Sequence, residues 1–218
     1  MTLTPQEAAR RLKLGGLILY PTETFFGIGC RADNAAAALR VFQCKKRALS
    51  MPLPVILGCR EQLELIACPD PSLTDDLNAL TVFWPGPLTL LLPAKPSLPD
   101  TVTGGSDRIA ARVSSHPAAR ALALACGFPI VSSSANISGR PAVTQAAELD
   151  PELLRSLNPE TDGVLDEPPA PGGGEASTIV EPLGGRRLRL LRKGALPTTT
   201  LQSAGFSFVT SDRSEVRP

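Results

Sequence analysis

The sequence predicts one α/β domain organised around a mixed sheet with flanking helices. Three observations lead there. Short apolar runs at residues 17–20, 88–92 and 109–113 alternate with stretches of helical period. The 218 residues, 43% hydrophobic and 20% charged, suffice for one large core and not for two. Clusters of hydroxyls and cations fall just beyond the apolar runs, where open α/β sheets bind their ligands.

The elements follow in order. Thr4 can cap a first helix, Pro5 suits its first position and Glu7 completes a capping box. Ala8, Ala9 and Leu12 give that helix an apolar stripe, and Gly15-Gly16 stop it. Residues 17–20 read as a short buried strand that delivers Pro21-Thr22-Glu23-Thr24 at its end. Asp33 or Asn34 caps a second helix, whose last turn is expected to hold Lys45, Lys46 and Arg47. A strand is expected at 54–58, and helices at 60–67 and 71–80, the latter capped by Asp70. Trp84-Pro85-Gly86-Pro87 forces a turn before the strand at 88–92. A strand at 109–113, a helix at 117–126 led by His116 as a capping or packing residue, and a strand at 129–133 come next. Residues 168–174, three prolines and three glycines among them, read as a surface loop before strands at 177–181 and 187–192. The domain is assigned to residues 1–200, with a Ser/Thr-rich, loosely ordered tail at 201–218.

Composition excludes several classes. A formal charge of +1 gives no bulk attraction to nucleic acid. Five cysteines, odd in number and without a C-x-x-C pair, together with no recognisable signal peptide, predict free thiols in a reducing cytoplasm. A single histidine rules out a multi-His metal site, and no apolar run approaches a bilayer span. Gly27-Ile28-Gly29-Cys30-Arg31-Ala32 loosely matches a dinucleotide fingerprint, but loop residues follow the strand and no acidic residue lies about twenty positions on. The two glycines are expected instead to turn the chain beneath the Thr-rich loop. P-loop and G-x-S-x-G patterns are absent, so an enzyme here would act by positioning and charge, without a covalent intermediate.

The polar clusters suit anion binding. Ser132, Ser133, Ser134 and Asn136 emerge from an apolar strand and are costly to bury unless they bond something. Lys45 and Arg47 can neutralise phosphates, and Gly139-Arg140-Pro141 offers another cation. Arg112, at the end of an alternating strand, can clamp a carboxylate through two nitrogens. Thr22 and Thr24 fit equally a ligand contact or a turn that bonds its own backbone.

Lys45-Lys46-Arg47 and Ser134-Ala135-Asn136 resemble the Lys-x-Arg and Ser-x-Asn signatures of the YrdC-type threonylcarbamoyl-AMP synthases, in their short, single-domain bacterial form. The blocks Phe83-Trp84-Pro85-Gly86-Pro87-Leu88-Thr89, Arg112-Val113-Ser114-Ser115-His116-Pro117 and Leu190-Leu191-Arg192-Lys193-Gly194 are similar too, in the family's order. The resemblance implies a YrdC/RibB-like twisted mixed sheet with an open concave cleft. It implies condensation of L-threonine, bicarbonate and ATP, brought with Mg²⁺, into threonylcarbamoyl-AMP and pyrophosphate. A tRNA-modifying transferase complex downstream would use that product at tRNA position 37. Carried over by motif, Lys45, Arg47, Ser134 and Asn136 would be catalytic, and Thr24, Arg112, Ser132 and Ser177 would hold threonine. ATP would meet Arg47, Met51, Arg108, Ser134, Arg140 and Arg192, with no metal ligand from the protein. Three positions depart from the pattern. Met51 replaces the usual Asn or Lys and removes a polar contact to ATP, Ile56 stands for His, and Phe26 stands for Tyr. The extra C-terminal domain of longer members is not expected here, and the 168–174 loop is the candidate cover for the site. Two alternatives stay open: a YciO-like paralogue with another acceptor, and an RNA-binding or ribosome-maturation factor using the same cleft. The second is disfavoured by the near-zero charge and by an aromatic set of seven Phe, one Tyr and one Trp.

Overall fold

Thr4 opens the fold as its residue type dictates: its hydroxyl accepts from Glu7 N at 3.3 Å and starts α1 (Pro5–Lys13). The computed structural model describes residues 2–209. Before α1 lies a two-residue strand, β1 (Thr2–Leu3), and after it β2 (Ile18–Pro21), which turns through Thr22 and Thr24 into β3 (Phe26–Gly29). Every residue of β2 is buried, because the strand has a core on each face. Leu17 and Leu19 join one apolar cluster, while Ile18 and Tyr20 join a second, with α1 and the later helix α5.

Asn34 caps α2 (Ala35–Lys45), its side chain accepting from Ala37 N at 2.9 Å. The helix ends earlier than the sequence suggests. Lys46 takes a left-handed conformation (φ 51°) and Arg47 N donates back to Phe42 O at 3.0 Å, which closes the helix end. Lys46 and Arg47 therefore lie outside the last turn. β4 (Val55–Leu57) follows. The expected helix at 60–67 is a 3₁₀ turn, Arg60–Leu65, and the one at 71–80 splits into a 3₁₀ turn and α3 (Thr74–Leu80). Then come β5 (Leu88–Pro93), α4 (Asp100–Thr103), β6 (Arg108–Val113) and α5 (Pro117–Cys126). His116 caps α5, its Nδ1 accepting from Ala118 N at 3.2 Å.

The strand expected at 129–133 breaks in two, β7 (Ile130–Val131) and β8 (Ser133–Ser134). That break organises the molecule. β7 pairs antiparallel with β4 in a seven-stranded sheet, and β8 pairs antiparallel with β3 in a five-stranded sheet. Ser132 is the residue at which the chain crosses between them, its N donating to Pro54 O at 2.8 Å. The expected single mixed sheet is thus two mixed sheets meeting at Ser132.

The remaining elements are α6 (Pro151–Arg155), β9 (Gly163–Leu165), β10 (Thr178–Pro182), β11 (Arg187–Arg192), α7 (Thr198–Ser203) and β12 (Ser207–Phe208). Strand order is β1-β9-β2-β3-β8 in one sheet and β12-β11-β10-β5-β6-β4-β7 in the other. Part of the segment expected to be a loose tail is packed. Leu201 and Phe206 are buried, and β12 pairs in parallel with β11. Residues 210–218 of that tail lie outside the described residues. Gly27 and Gly29 correct another expectation, since both sit within β3 and not in a turn. A Cβ on Gly29 would stand 1.8 Å from Val131 O, so a bare backbone is what lets β3 lie against β7. Among the described residues no helix is long and apolar enough to cross a membrane.

Candidate active site

The meeting of the two sheets leaves a cleft of about 400 Å³. The turn after β2 forms one wall. Thr22 locks that turn, its hydroxyl donating to Phe25 O at 2.7 Å and accepting from Thr24 N at 3.3 Å, which is the local role its type allows. Thr24 lines the cleft beside it, the two hydroxyl oxygens 3.3 Å apart. Ser132, Ser133 and Ser134 line the crossing between sheets, and Ser177 faces them from the start of β10. Ser177 Oγ lies 2.8 Å from Thr89 Oγ1 on β5.

Three arginines supply the charge. Arg112 on β6 is buried and ion-paired with Glu23. Its guanidinium is pushed down to about 10; burial is the leading cause, Tyr20 opposes it and the positive charge of Arg192 adds to it. Arg192, ending β11, donates to Ser177 O at 3.1 and 2.8 Å and to Ser177 Oγ at 3.1 Å, and burial lowers its pKa as well. Arg47 reaches the cleft because the helix end has turned it out. Its Nη2 donates to Pro52 O at 3.2 Å, its Nε is buried without a partner among the described residues, and burial lowers its pKa. Among the described residues no Asp or Glu lines this cleft. Three cations and seven hydroxyl side chains around a carboxylate-free hollow make a lining suited to anions.

Not every residue singled out from the sequence reaches the wall. Thr24, Arg47, Arg112, Ser132, Ser134, Ser177 and Arg192 do. Lys45 lies behind it, buried, with Nζ donating to Ser134 O, to Asn136 O at 2.6 Å and to Asn136 Oδ1 at 3.2 Å. Burial, with a smaller push from Arg47, brings its ammonium down to about 8. Lys45 thus fixes the carbonyls of the serine loop from beneath. Asn136 is equally engaged, its Nδ2 donating to Ile137 O at 3.1 Å and to Arg140 O. Arg140 stands away from the cleft, one nitrogen on Asp150 and another 2.7 Å from Glu152. Arg108 begins β6 against Glu181 and Asp107, four residues and roughly 13 Å of strand from Arg112. Met51 is half exposed and off the wall, although its neighbour Pro52 lines it. Thr89 was not singled out from the sequence, although a lone hydroxyl within the apolar run 88–92 is the signal that marks it.

Among the described residues no group of three or more His, Cys, Asp and Glu side chains could hold a metal ion. Glu23, on the turn that forms one wall, is engaged by Arg112 and by the Ser114 hydroxyl.

Fold and site together define an α/β protein with a cation- and hydroxyl-lined cleft at a junction of two sheets. Comparison with known proteins narrows this. Residues 10–194 match the Sua5_yciO_yrdC family model, described as Telomere recombination. The chain is 37% identical over 185 residues to the threonylcarbamoyl-AMP synthase of Xanthomonas euvesicatoria pv. vesicatoria, across 83% of this chain and 91% of that protein. It is 38% identical over 184 residues to the protein of the same name from Stenotrophomonas maltophilia, with the same coverage. The crystal structure of P. abyssi Sua5 complexed with L-threonine superposes with a TM-score of 0.82 at 33% identity. It covers 92% of this chain and 56% of that one, so the present chain spans little more than half of the P. abyssi protein. E. coli YciO shares the fold, with a TM-score of 0.69 at 21% identity. The chain belongs to the Sua5/YciO/YrdC family.

Proposed function

We propose that the chain is a threonylcarbamoyl-AMP synthase, an enzyme that joins L-threonine, bicarbonate and ATP. The observation that carries this reading is the convergence of Arg47, Arg112 and Arg192 with seven hydroxyl side chains on one carboxylate-free cleft. Relatives at 37% and 38% identity across most of both chains bear that name.

The chemistry suits the residues present. Threonine's amine attacks bicarbonate, water leaves, and a carbamate forms. A carbamate oxygen then attacks the α-phosphorus of ATP and pyrophosphate departs with the bond electrons. Neither step needs a protein nucleophile, and the cleft offers none with an adjacent base. In this reading Arg112 grips the threonine carboxylate, while Thr24, Ser132 and Ser177 orient the amino acid. Arg47 neutralises the triphosphate, whose negative charge shifts toward the leaving pyrophosphate, and Arg192 serves the nucleotide from the far wall. Lys45 and Asn136 act from behind, holding the backbone that presents Ser134. In this reading magnesium arrives with the substrate as MgATP, carried by phosphate oxygens and water, since among the described residues no carboxylate lines the cleft. On the same reading the product serves a transferase that modifies tRNA, and a cytoplasmic location, where the five cysteines would stay reduced, is part of the proposal.

The test is pyrophosphate release from ATP in the presence of L-threonine, bicarbonate, both or neither. Release that requires both is the expected result. Release indifferent to threonine would overturn the reading and point to another acceptor. Salt-sensitive RNA binding with no turnover would overturn it in favour of an RNA-binding role.

A further inference from the structure

Arg112 has a partner that the proposed reaction does not use. One carboxylate oxygen of Glu23 pairs with its Nη1, and the other accepts from the Ser114 hydroxyl. Ser114 Oγ in turn accepts from His116 N at 3.2 Å, so the carboxylate is anchored to the start of α5. The backbone of the same turn is held from the opposite side. Glu23 O accepts from Gly172 N at 3.1 Å and Thr24 O from Gly173 N at 2.8 Å. Glu23 is absent from the cleft wall and its side chain is only 15% exposed, so it stands behind Arg112 and not beside a ligand.

A buried guanidinium without a counter-ion is expensive, and it swings toward water or loses its alignment. Among the described residues Glu23 is the one carboxylate paired with Arg112. It engages a single nitrogen of a fork that has five N–H donors, which leaves the others directed to the cleft. We propose that Glu23 is a positioning residue of the amino-acid subsite, fixing the Arg112 guanidinium with its free edge toward the cleft while never touching the substrate. This rests on the reading of Arg112 as the group that holds the threonine carboxylate. Glu23 then acts on threonine through Arg112 alone and leaves the nucleotide subsite around Arg47 untouched.

The test is calorimetry of L-threonine, and separately of a non-hydrolysable ATP analogue, with the wild type, Glu23→Gln, Glu23→Ala, Arg112→Lys and the double variant Glu23→Ala/Arg112→Lys. Glu23→Ala is expected to raise the threonine Kd about tenfold or more, with a smaller rise for Glu23→Gln, which keeps an acceptor but no charge. The ATP-analogue Kd is expected to stay within about twofold in both Glu23 variants. In the Arg112→Lys background, where the fork is gone, Glu23→Ala is expected to change the threonine Kd less than about threefold. Unchanged threonine affinity in Glu23→Ala overturns the inference, as does an equal loss in the Arg112→Lys background. Loss of both ligands in the isosteric Glu23→Gln also overturns it, since that outcome marks a residue needed only for folding. A wild type that binds the ATP analogue but not threonine defeats the functional reading itself, and is told apart because it appears before any substitution is made.

Discussion

Arg47→Ala removes one cation from the cleft and very little from the fold, so it separates binding from stability. Among the described residues the Arg47 side chain makes one hydrogen bond, to Pro52 O at 3.2 Å, and its Nε is buried with no partner. Losing that bond costs about 1 kcal/mol of stability, a typical net value for one hydrogen bond. Toward a triphosphate the loss is larger, because a charge-assisted contact contributes about 2–3 kcal/mol. At about 1.4 kcal/mol per factor of ten, that is roughly a 30- to 150-fold rise in KM for MgATP. The assay is steady-state pyrophosphate release at saturating threonine and bicarbonate, paired with urea unfolding of the same preparation. Threonine affinity measured alone should stay near the wild-type value, since Arg112 and the hydroxyls remain. A KM for ATP within about twofold of the wild type, in a protein whose urea midpoint has hardly moved, would refute the assignment of Arg47 to the phosphates.

Three further outcomes are expected. Gly29→Ala places a methyl group 1.8 Å from Val131 O, backbone against backbone, and should lower stability by about 3 kcal/mol in urea unfolding; a midpoint shift under about 0.5 kcal/mol would contradict the close approach of β3 and β7. Lys45, brought down to about 8, is charged in the free protein below that pH and neutral above it, so its hold on the Ser134 and Asn136 carbonyls weakens and kcat/KM for ATP should fall as pH rises through about 8, and a flat profile there would contradict its role in fixing the serine loop. Its effect on folding has the opposite direction: between about 8 and the ordinary lysine value of 10.5 the unfolded chain binds more protons, so this group makes stability rise with pH across that window. Arg140→Ala should leave KM for ATP within about twofold, because both terminal nitrogens are committed to Asp150 and Glu152, and a large rise would bring Arg140 back to the nucleotide.

What was legible in the sequence is what local chemistry decides. Thr4, Asn34 and His116 cap their helices because a side-chain acceptor beside an exposed helix start has little else to bond. The long apolar strands announce themselves by residue type, and polar residues at their ends mark the cleft. Pairing between distant segments left weaker traces. β1, β8 and β12 are two residues long, too short for any period to show, and exist because a partner strand is there. The end of α2 was misread because Lys46, not glycine, adopts the left-handed turn, and that turn decides that Lys45 goes inward while Arg47 faces the cleft. Likewise Glu23 was visible only as part of a Thr-rich motif. Its pairing with Arg112 depends on β6 lying beside the turn after β2, which no local pattern records.

The most direct measurement is a crystal structure of the protein with L-threonine and a non-hydrolysable ATP analogue bound together. The account expects threonine in the cleft, its carboxylate on Arg112 and its amine within reach of the α-phosphate, with Arg47 against the triphosphate. Ligands seated on separate faces, or a threonine that avoids Arg112, would contradict it.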